Sequence, residues 1–291
     1  MLIAKLGVVG AGLVGGSVLL AARQRWPQLK LYACDQNVET ERVLVAGGIV
    51  DECLSPSAMA ERVDLVLVAV PPSVVEATFA QLTAAPLVTD AVSVKGSVQE
   101  AARRTLAPGR FIGGHPMAGG ERSGYGAASG QLFLGRRVYI CPPPNTEESA
   151  ISKVEALWRS LGAQPERLSA EEHDRKMAWV SHGVHGIAAA LAHAVGREPG
   201  LQGSTGSGFF DTTRVALGAP TLWRDILLAN RASLLSALDG TAASLSALRH
   251  LIAEGDAEGL HTFLSEAVQA RQQLCDPQPA PVDADEDEYD E

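Results

Sequence analysis

The stretch Gly10-Ala11-Gly12-Leu13-Val14-Gly15 constrains this chain more than any other. It follows a short apolar run, Leu6 to Val9, and opens a run with helical spacing, Leu13 to Arg25. Strand, glycine turn and helix in that order form the first half of a βαβ unit. Each glycine has its own duty there: Gly10 allows the tight turn, Gly12 lets a phosphate approach the backbone, and Gly15 lets helix and strand pack closely. The helix start, with Leu13 and Val14 in its first turn, offers free N–H groups and a positive dipole end to a pyrophosphate. Asp35 stands 20 residues after Gly15, at the end of the next apolar run, Leu29 to Cys34. A carboxylate there accepts hydrogen bonds from a ribose 2′-hydroxyl and repels a 2′-phosphate. Gln36 and Asn37 follow it, with no arginine. Gly10, Gly12, Leu13, Val14, Gly15 and Asp35 therefore predict a Rossmann-type site for NAD rather than NADP.

The rest of the first half continues the alternation. Asp64 to Val70 and Leu87 to Val92 read as buried strands, and Phe111 to Gly114 and Arg137 to Cys141 as shorter ones. Strands alternating with helical stretches predict an α/β, doubly wound, mostly parallel sheet. The pattern changes near Leu168. Ser169-Ala170-Glu171-Glu172 fits a capping box, and from there the chain reads as helical. The expected division is a Rossmann domain over residues 1–168, an all-helical domain over 169–275 and a disordered acidic tail over 276–291. The chain is expected to hold no further domain after its last helix.

Charge and composition narrow the class. The formal net charge is −10, but seven acids crowd into the last nine residues. Setting those seven aside leaves 24 basic against 27 acidic side chains, a net of −3. No basic stripe for nucleic acid is present. No apolar run nears the roughly 18 residues a membrane span needs. Met1-Leu2-Ile3-Ala4-Lys5 runs straight into a strand-like segment, so no secretory leader is expected. The four cysteines (Cys34, Cys53, Cys141, Cys275) are scattered and form no CxxC pair, which suits a reducing cytoplasm.

Four later segments carry a resemblance. They are Asp90-Ala91-Val92-Ser93-Val94-Lys95, Gly113-Gly114-His115-Pro116-Met117-Ala118-Gly119, Ser181-His182-Gly183-Val184-His185 and Gly208-Phe209-Phe210-Asp211-Thr212-Thr213-Arg214, followed by Leu222-Trp223-Arg224-Asp225-Ile226. In this order, behind the glycine motif, they resemble the prephenate/arogenate (cyclohexadienyl) dehydrogenases of the TyrA family. The likeness runs from about residue 5 to about residue 270. Two departures stand out: SHGVHG where the family often has SHLPH, and Phe210 where a basic residue is common.

The resemblance implies an enzyme of tyrosine biosynthesis. Its substrate, prephenate or the amino counterpart arogenate, loses a hydride from ring C4 and its ring carboxylate as CO2, and becomes aromatic. It also implies an intertwined homodimer through the helical domain. Removing hydride from a carbon that bears a hydroxyl builds positive charge there, and a base on the hydroxyl relieves it. A histidine suits that task near neutral pH. His115, in a glycine-rich loop after a short strand, is the candidate base and matches the family's catalytic histidine. Ser93, just past the strand Leu87 to Val92, resembles the family serine that touches the ring hydroxyl and nicotinamide; it also reads as a helix N-cap. Lys95 reads either as a steering charge or as a solvated lysine. Arg214 resembles the arginine that grips the ring carboxylate, for which a planar guanidinium fork is suited; it also reads as an i,i+3 surface pair with Asp211 on a helix. His182 and His185 lie i and i+3 on one predicted helix face. They read as a structural pair, or, by the resemblance, His185 as a substrate contact with His182 supporting it. H-x-x-H can chelate, but with no third ligand evident no metal is expected. Glu121, six residues past His115, could sense the substrate side chain or could be an ordinary loop carboxylate.

Two other readings compete. A hydroxyacid-type dehydrogenase with a helical second half would need a catalytic lysine there, and Lys176 is the only lysine in that half. A non-catalytic NAD sensor would bind cofactor without turnover and would leave His115 and Arg214 unexplained.

Overall fold

The computed structural model describes residues 3–120 and 122–274. Glu121 and the acidic tail, both singled out above, lie outside the described residues. Eight strands form one sheet: β1 (Lys5–Val9), β2 (Lys30–Cys34), β3 (Glu52–Cys53), β4 (Leu65–Val68), β5 (Val88–Asp90), β6 (Phe111–Pro116), β7 (Arg137–Cys141) and β8 (Gln164–Arg167). Their spatial order is β3-β2-β1-β4-β5-β6-β7-β8. The first six keep the order of a dinucleotide-binding fold and run parallel, and β7 pairs with β6 antiparallel. The helices around it are α1 (Leu13–Arg25), α2 (Val38–Ala46), α3 (Pro56–Ala60), α4 (Val75–Phe79), α5 (Gly96–Thr105) and α6 (Glu148–Ser160). The helical half supplies α7 (Ala170–Met177), α8 (Gly183–Val195), α9 (Ser207–Thr213), α10 (Pro220–Ala229), α11 (Arg231–Glu254) and α12 (Ala257–Leu274).

The run Leu65-Val66-Leu67-Val68 shows why the strands read as unbroken apolar stretches. Successive residues point to opposite faces, and both faces are covered. Leu65 and Leu67 join a core with Val18, Leu19 and Trp158, from α1 and α6. Val66 and Val68 join a second core with Met59, Phe79 and Val98, from α3, α4 and α5.

Two strands escape sequence reading for physical reasons. β8 is Gln164-Pro165-Glu166-Arg167, a polar edge strand with no fully buried residue, and an edge tolerates proline. β3 has only two residues at the other edge. His115 also departs from expectation: it lies inside β6, not in a loop after it.

The capping box forms as expected, with the Ser169 hydroxyl accepting from Glu172 N–H and the Glu172 carboxylate accepting from Ser169 N–H. After α7 the backbone widens into a π turn, Ala178–His182, closed by Gly183 N–H to Ala178 C=O. His182 and His185 therefore do not share one regular helix face; the π turn ends at the first and α8 carries the second. π turns recur at functional sites.

Two compact units divide the chain after Ala237. The first holds the sheet, α1 to α10 and the start of α11. The second holds the rest of α11 and α12, joined by a turn at Gly255, where φ is +66°. Asp256 N–H donates to Leu251 C=O there, and Gly259 N–H donates to the Asp256 carboxylate. None of the α12 side chains is buried, and Leu245, Ile252, Leu264 and Val268 are exposed in the chain. Among the described residues no helix is long and apolar enough to cross a membrane.

Candidate active site

The glycine turn after β1 has the three-part geometry the motif requires. Gly10 has φ +88°, and a Cβ there would sit 2.5 Å from the Ala69 carbonyl oxygen. A Cβ at Gly15 would sit 1.9 Å from the Gly10 oxygen, so no side chain fits where α1 packs on the turn. At Gly12 the Cβ position is open, with nothing within 4 Å. Two positions are thus closed by the protein itself, and the third keeps space beside the free N–H groups of α1. Such a cradle fits a dinucleotide pyrophosphate. Asp35 leaves the end of β2 and closes the cradle's edge. Its carboxylate accepts Ala11 N–H at 2.7 Å and Asn37 N–H at 2.8 Å.

This geometry separates two substitutions. Gly15→Ala is expected to lower the melting temperature by roughly 5–10 °C, since overpacking costs about 1–3 kcal/mol. Gly12→Ala is expected to leave melting within roughly 2 °C but weaken NAD+ binding at least ~10-fold, because its methyl occupies the space left for phosphate. Thermal melts and NAD+ titrations of the two variants check this pair.

The carboxyl ends of β5 and β6 hold the titratable groups. Asp90 ends β5, is fully buried, and accepts N–H bonds from Val92 at 3.0 Å and Gly114 at 2.9 Å. Lys95 is fully buried, ion-paired with Asp90 and bonded to the Gly114 carbonyl. It is therefore neither a steering charge nor a solvated lysine. It is the counter-ion that lets Asp90 pin the backbone of β6 one residue before His115.

His115 is 7% exposed, and its Nδ1 lies 2.8 Å from His173 Nε2 on α7. His173 is fully buried and its Nδ1 lies 2.8 Å from Asp174 Oδ1. Asp174 in turn accepts N–H bonds from Lys95 and Gly96, both at 2.8 Å. It thereby caps α5 from another helix, at the place where Ser93 reads as a cap from sequence. The cap position itself is Lys95, so Ser93, half-buried, is not the N-cap. Burial holds His115 well below the usual histidine range, with His173, Lys95 and His182 adding to the effect. Burial also lowers His173, against the pull of Asp174. Both rings are neutral near pH 7 as a result.

The helical half adds a second cluster. His182 is fully buried, and burial pulls it down to about 4. Asn230 at the end of α10 donates to the Asp174 carbonyl at 2.8 Å and lies 3.0 Å from His182 Nδ1. His185 stacks on Trp223 at 3.6 Å between ring centres. Among the described residues both His185 nitrogens are buried without a hydrogen-bond partner, while the Ser93 backbone bonds to His182. Buried polar atoms left so are expensive unless a ligand meets them. Arg214 opens a 3₁₀ turn, Arg214–Leu217, after α9 and is exposed. That turn packs against α8, and Gly218 at its end abuts Trp223 and His185. Lys176 is half-buried, 3.9 Å from Glu166, which is no setting for a catalytic lysine.

The structure thus brings His115, His182 and the backbone next to Ser93 into one buried region with Lys95. It places His185 beside Trp223 and the Arg214 turn. His173, Asp174 and Asn230 are not legible as site residues in the sequence, and Trp223, part of the Leu222–Ile226 segment, carries no role there. One signal was available: Met177 stands four residues after His173, so an apolar residue shares its helix face.

Residues 18–166 match the family model for the prephenate dehydrogenase nucleotide-binding domain, and residues 169–266 match that for the prephenate dehydrogenase dimerization domain. The chain is 31% identical over 282 residues to a prephenate dehydrogenase of Bacillus subtilis (strain 168), covering 92% of this chain and 75% of that protein. It is 32% identical over 279 residues to a cyclohexadienyl dehydrogenase of Zymomonas mobilis, covering 91% and 94%. A crystal structure of prephenate dehydrogenase from A. aeolicus in complex with hydroxyphenyl propionate and NAD+ is similar with a TM-score of 0.88 at 32% identity, covering 94% of this chain and 99% of that one. A Synechocystis arogenate dehydrogenase structure follows with 0.80 at 28%, covering 93% and 100%.

Proposed function

Because this chain belongs to the prephenate dehydrogenase family, we propose that it catalyses the NAD-dependent oxidative decarboxylation of prephenate, of arogenate, or of both, in tyrosine biosynthesis. The observation that carries the reading is a buried histidine near the carboxyl end of β6, on the same carboxyl edge of the sheet where β1 bears the dinucleotide cradle. In open α/β sheets ligands bind along that edge.

A bound NAD+, held by Gly10, Gly12, the first turn of α1 and Asp35, supplies the acceptor for the electron pair of the C4–H bond. His115 accepts a hydrogen bond from the C4 hydroxyl and shares its proton as positive charge grows at C4. Loss of CO2 returns an electron pair to the ring, and the proton goes back to the new phenol oxygen, so the histidine ends neutral as it began. Ser93 lies beside His182 and completes the polar wall near the hydroxyl. Arg214 grips the ring carboxylate, and the unpartnered nitrogens of His185 meet the substrate side chain. Asp35 sets the preference for NAD over NADP, since a carboxylate after β2 accepts from a ribose 2′-hydroxyl and repels a 2′-phosphate.

We place the working division at about residue 168, with cofactor before it and substrate contacts and dimerisation after it. The exposed leucines and valines of α11 and α12 and the match to a dimerization domain support a homodimer. The described cysteines Cys34, Cys53 and Cys141 are free thiols, which suits the cytoplasm. Light scattering behind size exclusion is expected to give twice the 30.5 kDa chain mass; a monomer mass would overturn the dimer. Steady-state NADH formation with prephenate and with arogenate tests the activity.

A further inference from the structure

The groups around His115 form a directed chain. Asp174 accepts two backbone N–H groups, from Lys95 and Gly96, and its Oδ1 lies 2.8 Å from His173 Nδ1. A carboxylate so surrounded is held ionised, below its usual range. An ionised carboxylate has no hydrogen to give, so His173 Nδ1 is the donor in that bond. His173 is buried and neutral, so its other nitrogen, Nε2, carries a lone pair. The bond between His173 Nε2 and His115 Nδ1 then has one possible direction: His115 Nδ1–H donates. A neutral His115 with its proton on Nδ1 has its basic lone pair on Nε2.

We propose that His173 and Asp174 are positioning residues that lock His115 into the tautomer with a basic Nε2 and stabilise its charge while it shares the substrate's hydroxyl proton. The proposal rests on the reading of His115 as the base. It deepens that reading by naming what makes the histidine one. When Nε2 takes the hydroxyl proton as the C4–H electron pair leaves to the cofactor, the positive ring donates more strongly through Nδ1–H to His173, and His173 in turn to Asp174. No second proton moves. When CO2 departs, the proton returns to the phenol oxygen. Lys95 and His182 also act on His115, and both disfavour its positive form, while the buried Tyr139 stands opposite it on β7 and meets the His173 ring edge-on. Asp174, acting through His173, opposes them.

Two variants and one spectrum test this. His173→Leu removes the acceptor of Nδ1–H and is expected to lower kcat roughly 10²- to 10³-fold, with KM for NAD+ and for prephenate or arogenate within ~3-fold. The deficit persists at every pH above the acid limb, since the fault is in the base rather than its titration. In His173→Gln the amide oxygen takes the place of Nε2 and accepts from His115, so kcat recovers to within ~10-fold of wild type. Long-range ¹⁵N NMR of histidine-labelled wild-type enzyme, without substrate, is expected to show His115 protonated on Nδ1 and bare on Nε2. A native-like His173→Leu with unchanged kcat overturns the proposal. So does equal loss in Leu and Gln variants, or a spectrum with His115 protonated on Nε2. The NMR result stands apart from activity, so a wild type inactive on both substrates overturns the functional reading while the tautomer is still decided. If His173→Leu fails to fold, the Gln variant and the spectrum remain decisive.

Discussion

His115→Asn is expected to lower kcat about 10³-fold while leaving NAD+ affinity within ~3-fold. General acid–base catalysis contributes roughly 10²- to 10⁴-fold, and this residue is the proposed base. Asparagine is a fair test because its amide can occupy the place of Nδ1 and keep the partner at His173, so the fold survives while Nε2 is lost. The pH dependence follows from the same environment. A base works only when unprotonated, and burial with nearby Lys95, His173 and His182 holds His115 well below the usual histidine value. The acid limb of kcat/KM therefore lies below about pH 6.5, and the rate is flat through neutrality. Initial rates over a pH series check both statements. An acid limb above the usual histidine range contradicts the assignment of the base to this environment.

Arg214→Gln is expected to raise KM for prephenate or arogenate roughly 10- to 150-fold, with a smaller effect on kcat. The physical reason is the loss of charge-assisted bonds to a carboxylate, each worth about 1.5–3 kcal/mol. Arg214 is exposed on a short turn, and a thermal melt run beside the kinetics separates a change in folding from a change in KM. Arg214→Lys keeps the charge but loses the planar fork, and its KM is expected to fall between the two. Initial-rate kinetics separate the outcomes, and an unaltered KM in the Gln variant counts against the contact.

What was legible in the sequence was local. The glycine turn reads directly because each glycine answers a backbone demand, and α1 has the bounds Leu13–Arg25 that its spacing predicts. The capping box at Ser169 is likewise a local bond pattern. What was not legible depends on distant partners. Lys95 looks like any surface lysine until Asp90 and the Gly114 carbonyl surround it. His173-Asp174 follows Glu171-Glu172 and reads as one more polar helix face. Only the docking of α7 against α5 and β7 turns the pair inward. The π turn at Ala178–His182 leaves no periodic trace, so His182 and His185 were read as a regular pair. Edge strands β3 and β8 carry too little apolar pattern to stand out.

The proposed activity is the oxidation and decarboxylation of a cyclohexadienyl carboxylate with NAD+. Purified enzyme mixed with NAD+ and prephenate, and separately with arogenate, is expected to form NADH and release CO2 in equal amounts with at least one of the two. The rate is expected to collapse in His115→Asn and to be much lower with NADP+. NADH formation from neither substrate by folded enzyme that binds NAD+ would contradict the account.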